Sequence, residues 1–191
     1  MDANIIFIIG PQGSGKGTQA EVLAKRLGFF YWSMGGILRE ERNFPLSNGQ
    51  TVAEIIDRGK LLEDSELLEV FRARMATIPA GQGIIFEGIP RRIGQAEFIF
   101  DFLASSGRTG YATVFLDLPR EDSLKRLIRR AEIEKRADDT PEAMEFRLKQ
   151  YEEATVPVLD YLKQHTTFFT IDGRPAIPEV TKEIFDALGL S

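Results

Sequence analysis

Ile5-Ile6-Phe7-Ile8-Ile9 runs directly into Gly10-Pro11-Gln12-Gly13-Ser14-Gly15-Lys16-Gly17-Thr18, and an amphipathic stretch with Ala20, Leu23, Ala24 and Leu27 follows. Five consecutive apolar residues read as a short strand buried on both faces. The i, i+3, i+4, i+7 spacing of the later set reads as a helix with one apolar face. Between them stands G-x-x-x-x-G-K. Its glycines let backbone N–H groups turn inward, and the N-terminus of a helix follows at once; both features attract phosphate. Lys16 is then placed to reach the β- and γ-phosphates of a nucleotide. A plain glycine-rich turn is the alternative. The strand before it, the helix after it and the spacing together favour a nucleotide loop made of Gly13, Ser14, Gly15, Lys16, Gly17 and Thr18.

The same rhythm continues along the chain. Residues 30–32, 84–86, 113–118 and 167–171 are further apolar or β-branched runs. Helical spacing recurs at Ala96, Ile99, Phe100 and Leu103, and again at Leu124, Leu127 and Ile128, which are expected to pack on the core. Asp139-Thr140-Pro141-Glu142 has the form of a helix start, with a capping side chain, proline in the first turn and an acid near the positive end of the dipole. That helix is expected to reach about Gln164, with a kink or break at Pro157. Strand and helix alternating in this way specify an α/β fold with a parallel sheet. One segment, about 33–62, breaks the rhythm: it reads as helical, carries Gly35, Gly36, Gly49 and Gly59, and is expected to be a small insertion on the core.

Composition narrows the function classes. The chain has 191 residues, enough for one domain, with 43% hydrophobic and 28% charged residues, as in an ordinary globular protein. There is no cysteine, which excludes a disulfide framework, a thiolate metal site and a cysteine nucleophile. The net charge of -5 argues against a nucleic-acid or anionic-membrane partner. No apolar run approaches the ~20 residues of a membrane span, and no basic leader is visible, so a cytoplasmic location is expected. The basic residues are lopsided, with 16 Arg against 8 Lys. Arginine grips phosphate through a planar fork, which suits a small anionic ligand.

The residue after Lys16 is Gly17, where the strict phosphate-loop pattern has a hydroxyl for Mg²⁺; the hydroxyl comes one place later, at Thr18. A metal entering with the nucleotide is therefore expected to be held by phosphate oxygens and waters, with no direct protein ligand. Glu87, at the end of the third strand, is the candidate acid beside those waters, or else a salt-bridging side chain.

Several motifs occur in order: GPQGSGKGTQ at 10–19, SMGGILR at 33–39, Gly59-Lys60-Leu61, EGIPR at 87–91 with Gln95, Arg136-Ala137-Asp138-Asp139-Thr140, the helix bearing Arg147, and Ile171-Asp172-Gly173. Together they resemble the adenylate kinases and the related nucleoside monophosphate kinases over essentially the whole chain. The resemblance implies transfer of the γ-phosphoryl of Mg-ATP to AMP, giving two ADP. It implies one domain over 1–191: a five-stranded parallel sheet core, a monophosphate-binding insertion at about 33–62 and a short lid at about 131–138. Lys16, Arg91, Arg126, Arg130, Arg136 and Arg147 are then the catalytic set, with Arg126 also on ATP. Ser33, Met34, Arg39, Leu62, Gly88, Arg91, Gln95, Arg136 and Arg147 bind AMP; Arg39 and Arg91 hold its phosphate, Gln95 reads its base, and the Leu62 backbone touches that base. The lid lacks the length and the cysteines of zinc-holding lids, so no structural zinc is expected. A monomer is expected, because one chain supplies a whole site.

Three positions depart from the family pattern. Met34 stands where Thr is usual, Gly36 where Asp is usual, and Glu87 where Asp is usual. Relaxed acceptor choice or a slower enzyme follows as an expectation. A UMP or CMP kinase, and a non-catalytic nucleotide-binding relative, stay open as alternatives. His165, the one histidine, is expected at a helix C-terminus, Trp32 in the core, Arg92 and Arg129 on the surface, and the arginines outside the catalytic and AMP sets in surface pairs.

Overall fold

The computed structural model describes residues 3–58, 62–134 and 140–190. Five strands, β1 (Ile5–Ile9), β2 (Phe30–Ser33), β3 (Ile84–Glu87), β4 (Tyr111–Asp117) and β5 (Thr167–Asp172), form one all-parallel sheet in the order β2-β3-β1-β4-β5. The first strand is thus central. Alternation along it serves both faces: Ile5, Phe7 and Ile9 enter one core, Ile6 and Ile8 the other. This explains an uninterrupted apolar run in which no side chain is left for solvent. The end strands differ from the sequence expectation. β2 and β5 lie at the sheet edges and are only partly covered, so their apolar runs are not buried on both faces.

Helix α1 (Lys16–Leu27) packs Ala20, Leu23 and Ala24 beneath β1 and β3, and ends where Gly28 takes a left-handed conformation, φ 67°. The first core also holds an aromatic stack in which Phe7 lies 5.2 Å from Phe86 and 5.4 Å from Phe100, with Trp32 buried against Phe86 and Phe71. Between β2 and β3 the chain forms α2 (Met34–Glu40), α3 (Val52–Ile56) and α4 (Asp64–Met75). Ser33 caps α2, and a Thr51–Glu54 capping box starts α3. An isolated antiparallel bridge, Pro45 to Thr51, closes the turn between them. Helix α5 (Ile93–Ser105) buries Ala96, Ile99, Phe100 and Leu103, the four residues its spacing indicated.

Helices α6 (Arg120–Glu134) and α7 (Pro141–Gln150) pair through a small separate cluster of Leu127, Met144 and Leu148, with Leu124 at its edge. Ile128, expected against the core, is exposed; the apolar stripe of α6 meets α7 and is too narrow to cover it. Thr140, not Asp139, supplies the observed cap of α7, accepting from the Ala143 N–H; Asp139 lies outside the described residues. The long helix is interrupted as expected. A π turn at Tyr151–Thr155 precedes α8 (Val156–His165), widening the coil just ahead of Pro157, whose ring would otherwise meet the carbonyl of Glu153. His165 ends α8, stacked on Tyr161 with Nδ1 2.7 Å from its carbonyl. Helix α9 (Ile177–Ala187) closes the second core. No helix among the described residues is long and apolar enough to cross a membrane.

Candidate active site

The strand order fixes where the site lies. β3 and β4 flank β1 on opposite sides, so the loop after β1 stands where the crossovers diverge, at the carboxyl ends of the strands. The loop has no room for side chains at its base: a Cβ on Gly10 would lie 2.5 Å from the carbonyl oxygen of Leu116. Gly13 and Gly15 have φ of 82° and 90°, values glycine reaches without strain. Gly15 caps α1 without any side-chain bond, which leaves the first N–H groups of the helix for a ligand. Ser14 Oγ is buried with no partner, an acceptor and donor aimed at nothing in the protein. In this state Lys16 Nζ donates to the Pro11 carbonyl across the loop at 2.7 Å.

Lys16 sits in a cationic cleft floor. Burial lowers its pKa from 10.5 to about 8; Glu87 opposes the fall, and Arg91 and Arg130 add to it. The Arg91 side chain is solvent-exposed, with protein packed close about it. That crowding lowers its proton affinity, Glu87 raises it and Arg147 lowers it again. Lys16 and Arg91, from α1 and the β3–α5 connection, are thus electrostatic neighbours of Glu87, with Arg130 of α6 beside Lys16 and Arg147 of α7 beside Arg91. A cluster of cations holding a single acid is a receptor for a polyanion. Arg126, one turn before Arg130, donates to the Gly13 carbonyl at 3.4 Å and to the Arg174 carbonyl at 2.8 Å, joining the phosphate loop to the segment after β5. Gly173 makes that segment's close approach, its N–H 2.7 Å from the Asp117 carbonyl.

The register of β2 and β3 sets Ser33 opposite Glu87, and Ser33 Oγ donates to Glu87 Oε2 at 3.3 Å while accepting from the Gly36 N–H. Met34 is buried beside Gly88, which has φ 83°. Arg91 Nε donates to the Gly88 carbonyl, and Thr155 Oγ1, in the π turn, donates to the Arg91 carbonyl. Gln95 is buried, with both ends of its amide engaged: Oε1 accepts from the Arg91 N–H at 2.8 Å, and Nε2 donates to Asp64 Oδ1 at 2.6 Å. Leu62 is buried in the adjoining core.

Some expected residues stand apart. Arg39 is exposed near the end of α2, and Thr18 is exposed on the first turn of α1. Arg136 lies outside the described residues. Arg92, expected on the surface, pairs with Asp64 at 3.1 Å. Arg108, expected in a surface pair, is buried and donates to the carbonyls of Gln82 and Pro79. Asp64, Thr155 and Tyr151 were not singled out by sequence. The Tyr151 hydroxyl is buried without a partner, and burial followed by Asp117 raises its pKa. Asp64 is the first residue of α4 and reads in sequence only as an acid near a helix start; its contact with Gln95 spans 31 positions.

Among the described residues no cluster of three or more acids and histidines could cage a metal ion. The oxygen donors at the site, the Ser33 hydroxyl and the Glu87 carboxylate, suit a hard cation that arrives on phosphate and keeps its waters.

An adenylate kinase family profile matches residues 8–167. An adenylate kinase of Thermus thermophilus is 38% identical over 187 residues, covering 97% of each chain. That of Phocaeicola vulgatus is 34% identical over 183 residues, covering 96% of this chain and 97% of its own. One from Stenotrophomonas maltophilia is 35% identical, also over 183 residues, covering 96% and 98%. With a glycine-rich loop after the central strand, Arg91 and Arg130 beside Lys16, and relatives matched over nearly the whole chain, the chain belongs to the adenylate kinase family and is an ATP:AMP phosphotransferase.

Proposed function

We propose that this chain moves the γ-phosphoryl of Mg-ATP to AMP, reversibly, by holding two nucleotides in line across the carboxyl end of its sheet. Such a transfer needs little covalent help; it needs positioning and stabilisation of charge on the moving group. The loop N–H groups, Ser14 Oγ and Lys16 hold the β- and γ-phosphates, and Lys16 gives up its bond to Pro11 to do so. Arg126 covers the ATP side. Arg91, Arg130 and Arg147 neutralise the charge that spreads over the moving phosphoryl, with Arg136 joining them. On the acceptor side Arg39 and Arg91 hold the monophosphate. Ser33, Met34, Leu62, Gly88 and Gln95 receive the nucleoside. The segment at about 33–62 acts as the acceptor-binding unit and that at about 131–138 as a short lid that excludes water, without which ATP would be hydrolysed. Mg²⁺ bound to the ATP supplies charge neutralisation at the phosphates, with Glu87 ordering its waters and no side chain ligating it directly. The protein acts as a monomer in the cytoplasm, on ATP and AMP alone.

The observation that carries this reading is the grouping of Lys16 with Glu87, Arg91 and Arg130 beside a phosphate loop whose Ser14 Oγ has no protein partner. The test is a coupled assay with Mg-ATP against AMP, GMP, CMP and UMP. Turnover with AMP, lost in Lys16→Ala, is expected; preference for a pyrimidine acceptor, or ATP binding without turnover, overturns it.

A further inference from the structure

The amide of Gln95 has no orientational freedom. Its Nε2 lies 2.6 Å from Asp64 Oδ1, and a carboxylate only accepts. Its Oε1 lies 2.8 Å from the Arg91 backbone N, and a backbone N–H only donates. Turning the amide over would set oxygen against carboxylate and NH₂ against N–H. Two fixed partners of opposite kind therefore define which end is which. Arg92 donates to the same Asp64 oxygen at 3.1 Å. Once both bonds are made, Gln95 has one N–H and one lone pair left for a ligand, in a fixed order.

We propose that Asp64 is a positioning residue for acceptor choice, locking Gln95 so that it accepts a base with an exocyclic amino group beside an unprotonated ring nitrogen. The inference rests on the reading of Gln95 as the residue facing the acceptor base. Adenine has that edge: its amino group donates to Oε1 and its ring nitrogen accepts from Nε2. Hypoxanthine, guanine and uracil present the reverse, a carbonyl beside a ring N–H, and each needs the amide turned over. Met34, buried beside Gly88, brings a thioether with no strong hydrogen bond, so polar discrimination falls on Gln95. Asp64 belongs to α4 and Gln95 to α5, so one carboxylate ties the helix leading out of the acceptor segment to the core.

AMP and IMP differ at this edge alone, which makes their ratio the readout. The preference, as kcat/KM for AMP over IMP with Mg-ATP, is measured for the wild type, Asp64→Ala, Asp64→Leu, Asp64→Asn and Arg92→Ala, with Tm for each. In Asp64→Ala the preference is expected to fall about tenfold, through a higher KM for AMP and a lower KM for IMP, with kcat for AMP changed by less than about threefold. Asp64→Asn keeps an oxygen that Arg92, a pure donor, holds toward Gln95, and is expected to keep the wild-type preference within about twofold. Arg92→Ala breaks the ion pair but leaves the Gln95 acceptor, and is expected to keep the wild-type preference. An Asp64→Ala preference within twofold of wild type overturns the proposal. So does an Arg92→Ala loss as large as that of Asp64→Ala, since Asp64 would then be only a tether. If Asp64→Ala does not fold, an unchanged preference in Asp64→Leu, which also removes the acceptor, overturns it. A wild type that turns over AMP without preferring it to IMP sinks this inference alone, whereas a wild type without AMP turnover sinks the functional reading beneath it.

Discussion

Lys16→Met separates the two demands on the phosphate loop. Lys16 is held charged where charge is unwelcome, and burial lowers its pKa from 10.5 to about 8 against the partial help of Glu87. That fall corresponds to at most roughly 3 kcal/mol of destabilisation of the charged form at pH 7. Methionine keeps the aliphatic stem and removes the charge. It also loses the 2.7 Å bond to Pro11, about 1–1.5 kcal/mol. The substrate-free variant is thus expected to be more stable than wild type by about 1–2 kcal/mol. At about 2–4 °C per kcal/mol for a chain of this size, that is a Tm rise of roughly 2–8 °C. Between pH 8 and 10.5 the unfolded chain holds the Lys16 proton and the folded chain does not, so wild-type stability climbs with pH there and the gap closes. Meanwhile kcat/KM falls at least about 100-fold, because the transferring phosphoryl loses its nearest cation. Thermal and urea unfolding at pH 7 and pH 10, beside a coupled ADP assay, measure all of this. A variant less stable than wild type at pH 7, or a gap unchanged at pH 10, refutes the electrostatic reasoning.

The other predictions concern the same cleft. Glu87→Gln removes the one group that raises the Lys16 pKa, so the alkaline limb of kcat/KM for ATP, expected near pH 8 in the wild type, should move down by about one pH unit; an unmoved limb counts against the assignment. Arg126→Ala breaks the link from Gly13 to Arg174 and is expected to raise the KM for ATP about tenfold, with the KM for AMP changed less than twofold in steady-state assays. Gly10→Ala drives a Cβ to within 2.5 Å of the Leu116 carbonyl oxygen and should destabilise by about 3 kcal/mol, read as a lowered urea midpoint. Arg120→Ala removes exposed pairs with Glu145 and Glu152 and should lower stability by less than about 1 kcal/mol.

The reach of sequence reading follows the reach of local interactions. β1, the loop at 10–15 and α1 are contiguous, and each is specified by near neighbours: apolar continuity, glycine freedom, helical spacing. All five strands were legible for the same reason, as was the interruption at Pro157, because a missing N–H acts on its own helix. Edge exposure of β2 and β5 was not legible, since the apolar content of a strand does not say whether a neighbour covers it. Nor was the outward turn of Ile128, since a period of 3.6 fixes a face but not its partner.

The chemistry divides along the same line. Residue types in order, G-x-x-x-x-G-K followed by spaced arginines, determined that a phosphate ligand was wanted and which family pattern the chain follows. Only the sheet order decided that Arg91 and Arg130 meet at Lys16, because the crossovers on either side of β1 bring distant segments to one strand end. Only packing decided that Asp64 grips Gln95 and that Arg108 is interior. A carboxylate 31 positions away leaves no periodic trace in a chain; it becomes a partner when two helices are laid side by side.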